Sequence, residues 1–292
     1  MKITKAVIAA AGWSTRFLPA VKSYAKHLVP IWDKPQIQYL VEECIASGIT
    51  QICIVHRHGE KTLKQHFQYD PTLEEYLNST NKQKHMDSLH QIWQKIENFK
   101  FIPQARSLPY GNGSPILAAK SFIDSDPFVF MYGDDFVLEN QPGKYLSSLI
   151  STFIKQKAEA VCGVQQVLHS EINRYSSVQF KKNSDYKNQI QTVIEKPPVD
   201  QAPSDLTLFG RFIFSPQIID VLKTTTTSRG ELWLTDAVNT LAQSKLVIAQ
   251  ATTKDSPWLT TGDPLNWLKA NLLFTRQNPD IYPQIKEFLK KL

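Results

Sequence analysis

Short apolar runs alternate with helix-like segments through the first half of this 292-residue chain. Four runs have the length of a strand: 6–10, 51–55, 99–103 and 128–132. Between the first two, apolar side chains recur at the spacing of one helix face: Ile37, Leu40, Val41, Cys44 and Ile45. This alternation is typical of a parallel sheet with helices on both faces. We therefore predict an α/β fold with a doubly wound, mostly parallel, Rossmann-like sheet.

The pattern becomes β-rich in the second half. Segments 177–181 and 189–195 flank a polar turn and predict a hairpin, and 208–214 and 246–251 have the composition of strands. No internal repeat, low-complexity tract or flexible linker divides the chain. We expect one domain over residues 1–292, with a first half at 1–167 that includes a helical excursion at 60–98. A β-rich half follows at 168–275, and a C-terminal helix at 276–292.

Composition excludes several functional classes. The net charge is +6, but the basic residues are scattered, so a solvated basic surface is favoured over a nucleic-acid interface. The three cysteines are isolated in apolar surroundings, which favours buried thiols over zinc ligands or disulfides. No apolar run could cross a bilayer, and the first strand begins too early for a signal peptide. We expect a soluble cytoplasmic protein that binds neither nucleic acid nor membrane.

A turn of small residues follows the first strand at 11–15, and the cations Arg16, Lys22 and Lys26 come next. Small residues let backbone N–H groups approach a ligand, and such groups bind phosphate well. Two familiar phosphate motifs are absent: there is no G-x-x-x-x-G-K-[ST], and Gly12 is the only glycine where a dinucleotide fingerprint needs three. The turn predicts a polyphosphate site at the carboxyl end of the first strand.

Two further loops should meet this turn, because ligands in parallel sheets bind beyond the carboxyl ends of the strands. One holds Gly111, and Ser114 is expected to cap the helix that follows. The other places Asp134 and Asp135 directly after the apolar run 128–132. Adjacent carboxylates suit Mg²⁺, which takes oxygen ligands and bridges substrate phosphates. The alternative is an ordinary strand-end turn, where aspartate is common.

Residues 8–35 read IAAAGWSTRFLPAVKSYAKHLVPIWDKP. They resemble the signature of the sugar-phosphate nucleotidyltransferases, G-x-G-T-R followed by L-P and P-K. The run through Ile49 is similar to the bacterial UTP–glucose-1-phosphate uridylyltransferases in particular. Later segments extend the resemblance to about residue 275: Glu195-Lys196-Pro197, Gly210-Arg211 and ELWLTDA at 231–237.

The resemblance implies a Mg²⁺-dependent enzyme that joins UTP and glucose 1-phosphate into UDP-glucose with release of pyrophosphate. The first half would bind the nucleotide and the second half the sugar. Family members tend to form homodimers or homotetramers, so the same is expected here. The implied catalytic residues are Arg16, Lys26 and Asp134, with Asp134 also holding the metal. The implied nucleotide contacts are Ala10, Ala11, Gly12, Ser14, Thr15, Arg106 and Gly111. The implied sugar-phosphate contacts are Asp135, Glu195, Lys196 and Gly210.

Several positions depart from the family pattern. Serine replaces a glycine at Ser14, a histidine at Ser114 and a glycine at Ser176. Lys26 is flanked by Ala25 and His27, where the family has proline and glutamate. Arg106 occupies about the position at which the family has a glutamine that reads the base. Thr260 falls where the second metal carboxylate is expected, and a neutral hydroxyl is a poorer Mg²⁺ ligand. Two alternatives therefore stay open: a weakened homologue that binds sugar nucleotides as a sensor or regulatory subunit, and an enzyme for another nucleotide or sugar 1-phosphate.

Overall fold

A seven-stranded sheet forms the centre of the computed structural model, which describes residues 2–90, 95–227 and 230–291. The strands in chain order are β1 (Lys5–Ala10), β2 (Pro30–Ile31), β3 (Lys34–Pro35), β4 (Gln51–Arg57), β5 (Asn98–Gln104), β6 (Phe128–Tyr132), β7 (Asp135–Val137), β8 (Ala160–Gln166), β9 (Ser176–Phe180), β10 (Ile190–Glu195), β11 (Leu206–Phe214), β12 (Val247–Ala251) and β13 (Trp258–Thr260). The helices are α1 (Gln36–Ala46), α2 (Thr62–His66), α3 (Pro71–Ser79), α4 (Gln83–His90), α5 (Ser114–Ala118), α6 (Lys120–Ile123), α7 (Lys144–Gln156), α8 (Gln217–Thr224), α9 (Leu234–Ser244), α10 (Pro264–Thr275) and α11 (Tyr282–Leu289).

The strand order is β12-β8-β11-β6-β1-β4-β5. All neighbours in this sheet are parallel except β11, which runs antiparallel to both β6 and β8. Helices cover both faces: Ile8 of β1 packs in one core cluster with residues of α1 and α7, while its neighbour Val7 packs in another with residues of α5, α8 and α9. The predicted doubly wound, mostly parallel α/β fold is confirmed, with one antiparallel strand inserted.

The register of β1 and β6 places two of the predicted loops side by side. Ala9 pairs with Tyr132, and the N–H of Gly133 donates to the carbonyl of Ala9 at 2.9 Å. Only glycine fits at position 133, because a Cβ there would lie 2.6 Å from that carbonyl and 2.7 Å from the ring of His27. The turn after β1 and the turn carrying the two aspartates therefore leave the sheet at the same edge.

Two small antiparallel pairs bring the second half of the chain to this edge. The hairpin predicted at 177–181 and 189–195 is present as β9 and β10. The pair β7–β13 was not predicted from the sequence, and it aligns Thr260 with Asp135. These pairs place residues that are distant in the chain next to the aspartate turn.

Two local predictions need comment. In the excursion at 60–98 the structure describes α2, α3 and α4, and residues 91–94 lie outside the described part. The prediction that Ser114 caps a helix is wrong: α5 begins at Ser114, its N-cap is Gly113, and the Ser114 hydroxyl donates to the carbonyl of Pro109. Within the described ranges, no helix is both long and apolar enough to cross a bilayer.

Candidate active site

The loop after β1 leaves backbone exposed where a ligand could reach it. A Cβ on Gly12 would meet no atom within 4 Å, so the loop faces open space there. Ser14 adopts a left-handed backbone conformation (φ 58°, ψ 35°), and a short 3₁₀ turn, Thr15–Phe17, follows and carries Arg16. This geometry turns the chain back over the end of β1 and presents a guanidinium beside the loop.

Two adjoining cavities lie at this edge of the sheet, with volumes of about 490 and 430 Å³. Four residues line both: Ala9, Gly12, Tyr110 and Asn112. The first cavity extends towards Gln104, Arg106 and Gly111, and the second contains Arg16, Lys26, Asp134, Asp135, Glu195 and Thr260. The loops at 11–16, 111–114 and 133–135 therefore converge on one continuous depression, as the strand order requires.

Lys26 and Asp134 form an ion pair in the second cavity, with Lys26 Nζ 2.5 Å from Asp134 Oδ2. Burial raises the pKa of Asp134, but the charge and hydrogen bond of Lys26, with smaller contributions from neighbouring groups, together hold this pKa below its usual value. Asp134 therefore stays ionised and available to a cation. Lys26 offers its charge at the same point.

Asp135 lies deeper and is held differently. Its Oδ2 accepts the N–H of Gly210 at 2.8 Å, and only 5% of the residue is exposed. Burial, reinforced by the neighbouring charge of Asp134, raises the pKa of Asp135 to about 7. The two adjacent carboxylates thus have separate roles: Asp134 faces the cations, and Asp135 is tied to β11.

His27 is buried beside this ion pair, at 3% exposure, and its Nδ1 has no hydrogen-bond partner among the described residues. Burial, with the nearby charge of Lys26, lowers the pKa of His27 to about 3. The imidazole is therefore neutral at ordinary pH. Where the resemblance predicts a glutamate next to Lys26, the chain places an uncharged ring.

Thr260, which we expected at the position of a second metal carboxylate, lines the second cavity. A Cβ built on Gly262 would be 3.4 Å from each of three atoms: Arg16 Nη1, Asp134 Oδ2 and Thr260 Oγ1. No group of three or more His, Cys, Asp or Glu side chains that could hold a metal occurs in the described part of the chain. The donor set is thus one carboxylate and one hydroxyl. This fits Mg²⁺ that takes its remaining ligands from phosphate and water.

Nine of the predicted site residues line the two cavities: Ala11, Gly12, Arg16, Lys26, Arg106, Gly111, Asp134, Asp135 and Glu195. Five do not: Ala10, Ser14, Thr15, Lys196 and Gly210. Ala10 is buried at the end of β1. We expected Gly210 to contact the sugar phosphate, but its N–H donates to Asp135 instead. Lys196 Nζ lies 4.7 Å from the centre of the Trp233 ring.

Sequence reasoning missed several lining residues, among them Trp13, Arg57, Tyr110, Asn112 and Arg174. Asn112 joins the two halves of the chain, since its side chain donates to the Tyr132 hydroxyl at 3.0 Å and accepts the N–H of Leu234 at 2.7 Å. Its position next to Gly111 was the only available signal. Arg57 is placed at the end of β4 by strand pairing, and Arg174 ends a 3₁₀ helix, His169–Arg174; the sequence pattern shows neither position.

Comparison with known proteins agrees with this geometry. Residues 5–277 match the model of the nucleotidyl transferase family. The UTP–glucose-1-phosphate uridylyltransferase of Bacillus subtilis is 33% identical over 292 residues, covering 100% of this chain and 97% of the relative. That of Streptococcus pneumoniae is 32% identical over 295 residues, covering 100% and 96%.

Solved structures give the same result. An apo UDP-glucose pyrophosphorylase superposes with a TM-score of 0.86 at 28% identity, covering 94% of this chain and 99% of that one. The UTP-bound UGPase from Acinetobacter baumannii gives a TM-score of 0.85 at 30% identity, covering 100% of both chains. On the strength of a match that spans nearly its whole length, the chain belongs to the nucleotidyl transferase family.

Proposed function

We propose that the chain is a UTP–glucose-1-phosphate uridylyltransferase, which joins UTP and glucose 1-phosphate into UDP-glucose and releases pyrophosphate. The observation that carries the proposal is the pair of cavities that meet at Gly12, one beside Arg106 and Gly111 and the other around Lys26 and Asp134. A nucleoside triphosphate and a sugar phosphate need two such adjoining spaces. The relatives at 33% and 32% identity over the full chain carry this activity in their names.

The reaction needs positioning and charge neutralisation more than covalent chemistry. A phosphate oxygen of glucose 1-phosphate attacks the α-phosphorus of UTP, the α–β bridging bond breaks, and pyrophosphate leaves with that electron pair. Both reactants are anions that repel each other, so the site must hold them together and stabilise the charge on the transferring group. Arg16 and Lys26 are suited to this, because a guanidinium grips phosphate oxygens in pairs and an ammonium is a compact charge.

The sugar would lie towards the second half of the chain. Glu195 lines the second cavity, and burial raises its pKa. Its carboxyl is suited to accept hydrogen bonds from sugar hydroxyls. Arg174 lines the same cavity and can reach a phosphate there. Lys196 would have to leave its place above Trp233 to contact the same phosphate.

Mg²⁺ would be held by Asp134, with Thr260 as a neutral neighbour. When bound, the ion would neutralise phosphate charge and orient the triphosphate. Because Lys26 already pairs with Asp134 at 2.5 Å, the lysine would have to turn to the phosphates as the ion arrives. We also propose a homodimer or homotetramer located in the cytoplasm, which rests on the family resemblance alone and is tested by light scattering and fractionation.

The proposal is tested by measuring pyrophosphate release from glucose 1-phosphate with each of the four ribonucleoside triphosphates and thymidine triphosphate, with and without Mg²⁺. Release with UTP and Mg²⁺ that is lost in the Asp134→Asn variant is the expected result. Release with a different nucleotide would keep the reaction class and change the base. Binding of UDP-glucose with no release for any nucleotide would overturn the proposal in favour of the sensor.

A further inference from the structure

An exposed indole stands in the wall of the first cavity. Trp13 is 61% exposed, yet it lines this 490 Å³ cavity together with Ala11 and Gly12. Position 13 is the unspecified x of the G-x-G-T-R signature, so the resemblance gives it no role. Tryptophan presents a large, rigid apolar face, and here that face borders a space that a ligand can enter.

Arg57 holds this indole in place. Its guanidinium carbon lies 4.6 Å from the centre of the Trp13 ring, which is the geometry of a cation–π contact. Arg57 is the last residue of β4, and β4 pairs with β1, so Arg57 lies at the edge of the sheet from which the loop carrying Trp13 emerges. Arg57 also lines the first cavity. The two side chains therefore form one part of the cavity wall together.

Other residues that line this cavity have side chains able to form hydrogen bonds: Gln104, Arg106 and Tyr110. The phosphate-binding cations Arg16 and Lys26 lie in the adjoining cavity. A ligand that places its phosphates there and extends past Gly12 would put a planar, hydrogen-bonding ring beside Trp13. A nucleobase has this shape and chemistry.

We propose that Trp13, held by Arg57, is the stacking platform for the base of the bound nucleotide. This inference rests on the proposed function, because it takes UTP as the nucleotide. Every base has a π face, so stacking raises affinity without choosing the base. The choice then falls to the groups that meet the edge of the base, Gln104 and Arg106 among them.

The test compares equilibrium binding of UTP with binding of inorganic tripolyphosphate, which has the charges but no base. Loss of one base–aromatic stack weakens binding by about 5- to 150-fold. The Trp13→Leu variant should therefore bind UTP at least about fivefold more weakly and bind tripolyphosphate as the wild type does. Trp13→Phe keeps an aromatic face and should retain most of the UTP affinity.

Trp32 provides a matched control, because it is a second exposed tryptophan, at 43%, in the turn between β2 and β3. Trp32→Leu should leave the affinity for UTP unchanged. UTP should quench tryptophan fluorescence equally in the wild type and in Trp32→Leu, and the quenching should be smaller in Trp13→Leu, which keeps Trp258 in the second cavity. Arg57→Ala as a single variant should weaken UTP binding. Added to Trp13→Leu, it should weaken UTP binding little further.

Two outcomes would overturn the inference while leaving the proposed function in place. One is Trp13→Leu binding UTP as tightly as the wild type. The other is an equal loss of UTP and tripolyphosphate affinity, which would show that Trp13 only supports the loop. Failure of the folded wild-type protein to bind UTP at all would overturn both proposals together.

Discussion

Replacing Thr260 with aspartate should make the stability of the protein depend on Mg²⁺. Thr260 Oγ1 and Asp134 Oδ2 both lie 3.4 Å from the point where a Cβ on Gly262 would sit. A carboxylate at position 260 would thus lie within about 7 Å of the Asp134 carboxylate. Two negative charges at this separation repel in the absence of a cation, and together they form a better site for a divalent ion.

The size of the effect follows from the geometry. Two unit charges about 7 Å apart repel by about 2 kcal/mol at an effective dielectric constant of about 20. Two cations offset most of this repulsion: Lys26, 2.5 Å from Asp134, and Arg16, whose Nη1 lies at the same 3.4 Å from the Gly262 point as Asp134 Oδ2. We therefore expect a loss of at most about 1 kcal/mol without divalent ions, which corresponds to a fall in Tm of about 1–2 °C for a chain of this size.

The assay is thermal unfolding of the wild type, Thr260→Asp and Thr260→Asn in EDTA and in Mg²⁺. Asparagine has the shape of aspartate without its charge, so Thr260→Asn should respond to Mg²⁺ as the wild type does. Thr260→Asp should regain its Tm in Mg²⁺, because a ligand that binds the folded state stabilises it. Its turnover should need less Mg²⁺ for half-maximal rate. Identical Tm values for the two variants under both conditions would refute the placement of position 260 at the metal.

Three further predictions follow from the same structure. Asp134→Asn and Arg16→Ala should each lower kcat/KM by about a hundredfold, which is the usual effect of losing one preorganised charged group. A near-normal kcat/KM in steady-state kinetics would show that these groups are misassigned. Burial raises the pKa of Glu195, so ionising this carboxyl is less favourable in the folded state than in the unfolded state. The free energy of unfolding should therefore fall as the pH rises from about 4 through the raised pKa. Measured as Tm against pH, this fall should be smaller in Glu195→Gln. Arg211 and Glu43 form a buried ion pair with N–O distances of 2.7 and 2.6 Å. Glu43→Ala would leave the guanidinium buried and unpaired, so it should lower the free energy of unfolding in urea by about 3–5 kcal/mol. The double variant Glu43→Leu with Arg211→Met should recover most of this free energy.

The sequence was sufficient where local pattern decides structure. The apolar run at 128–132 is β6, and the expected helix face between 37 and 45 lies within α1. Convergence of the three loops followed from the same reasoning, because parallel neighbours must deliver their carboxyl ends to one edge. The position of Asp134 beside the loop after β1 is thus a consequence of strand order.

The remainder depends on contacts between distant parts of the chain. Arg211 donates a hydrogen bond to Glu43, which is 168 residues away in the chain. The periodicity of the two segments does not predict this pair. β7 and β13 have three residues each, too few to show a strand pattern. The sequence motif predicted Lys196 at the sugar phosphate. The structure instead shows Lys196 with a positive φ of 47° and its Nζ above the Trp233 ring, a contact that the sequence does not reveal.

The most direct test is a crystal structure of the protein with UDP-glucose and Mg²⁺. The uracil should stack on Trp13 in the cavity beside Gly111, and the diphosphate should lie within hydrogen-bond reach of Arg16. The glucose should extend towards Glu195. A diphosphate bound away from the loop at 11–16, or a sugar nucleotide in another part of the molecule, would contradict the assignment of this site.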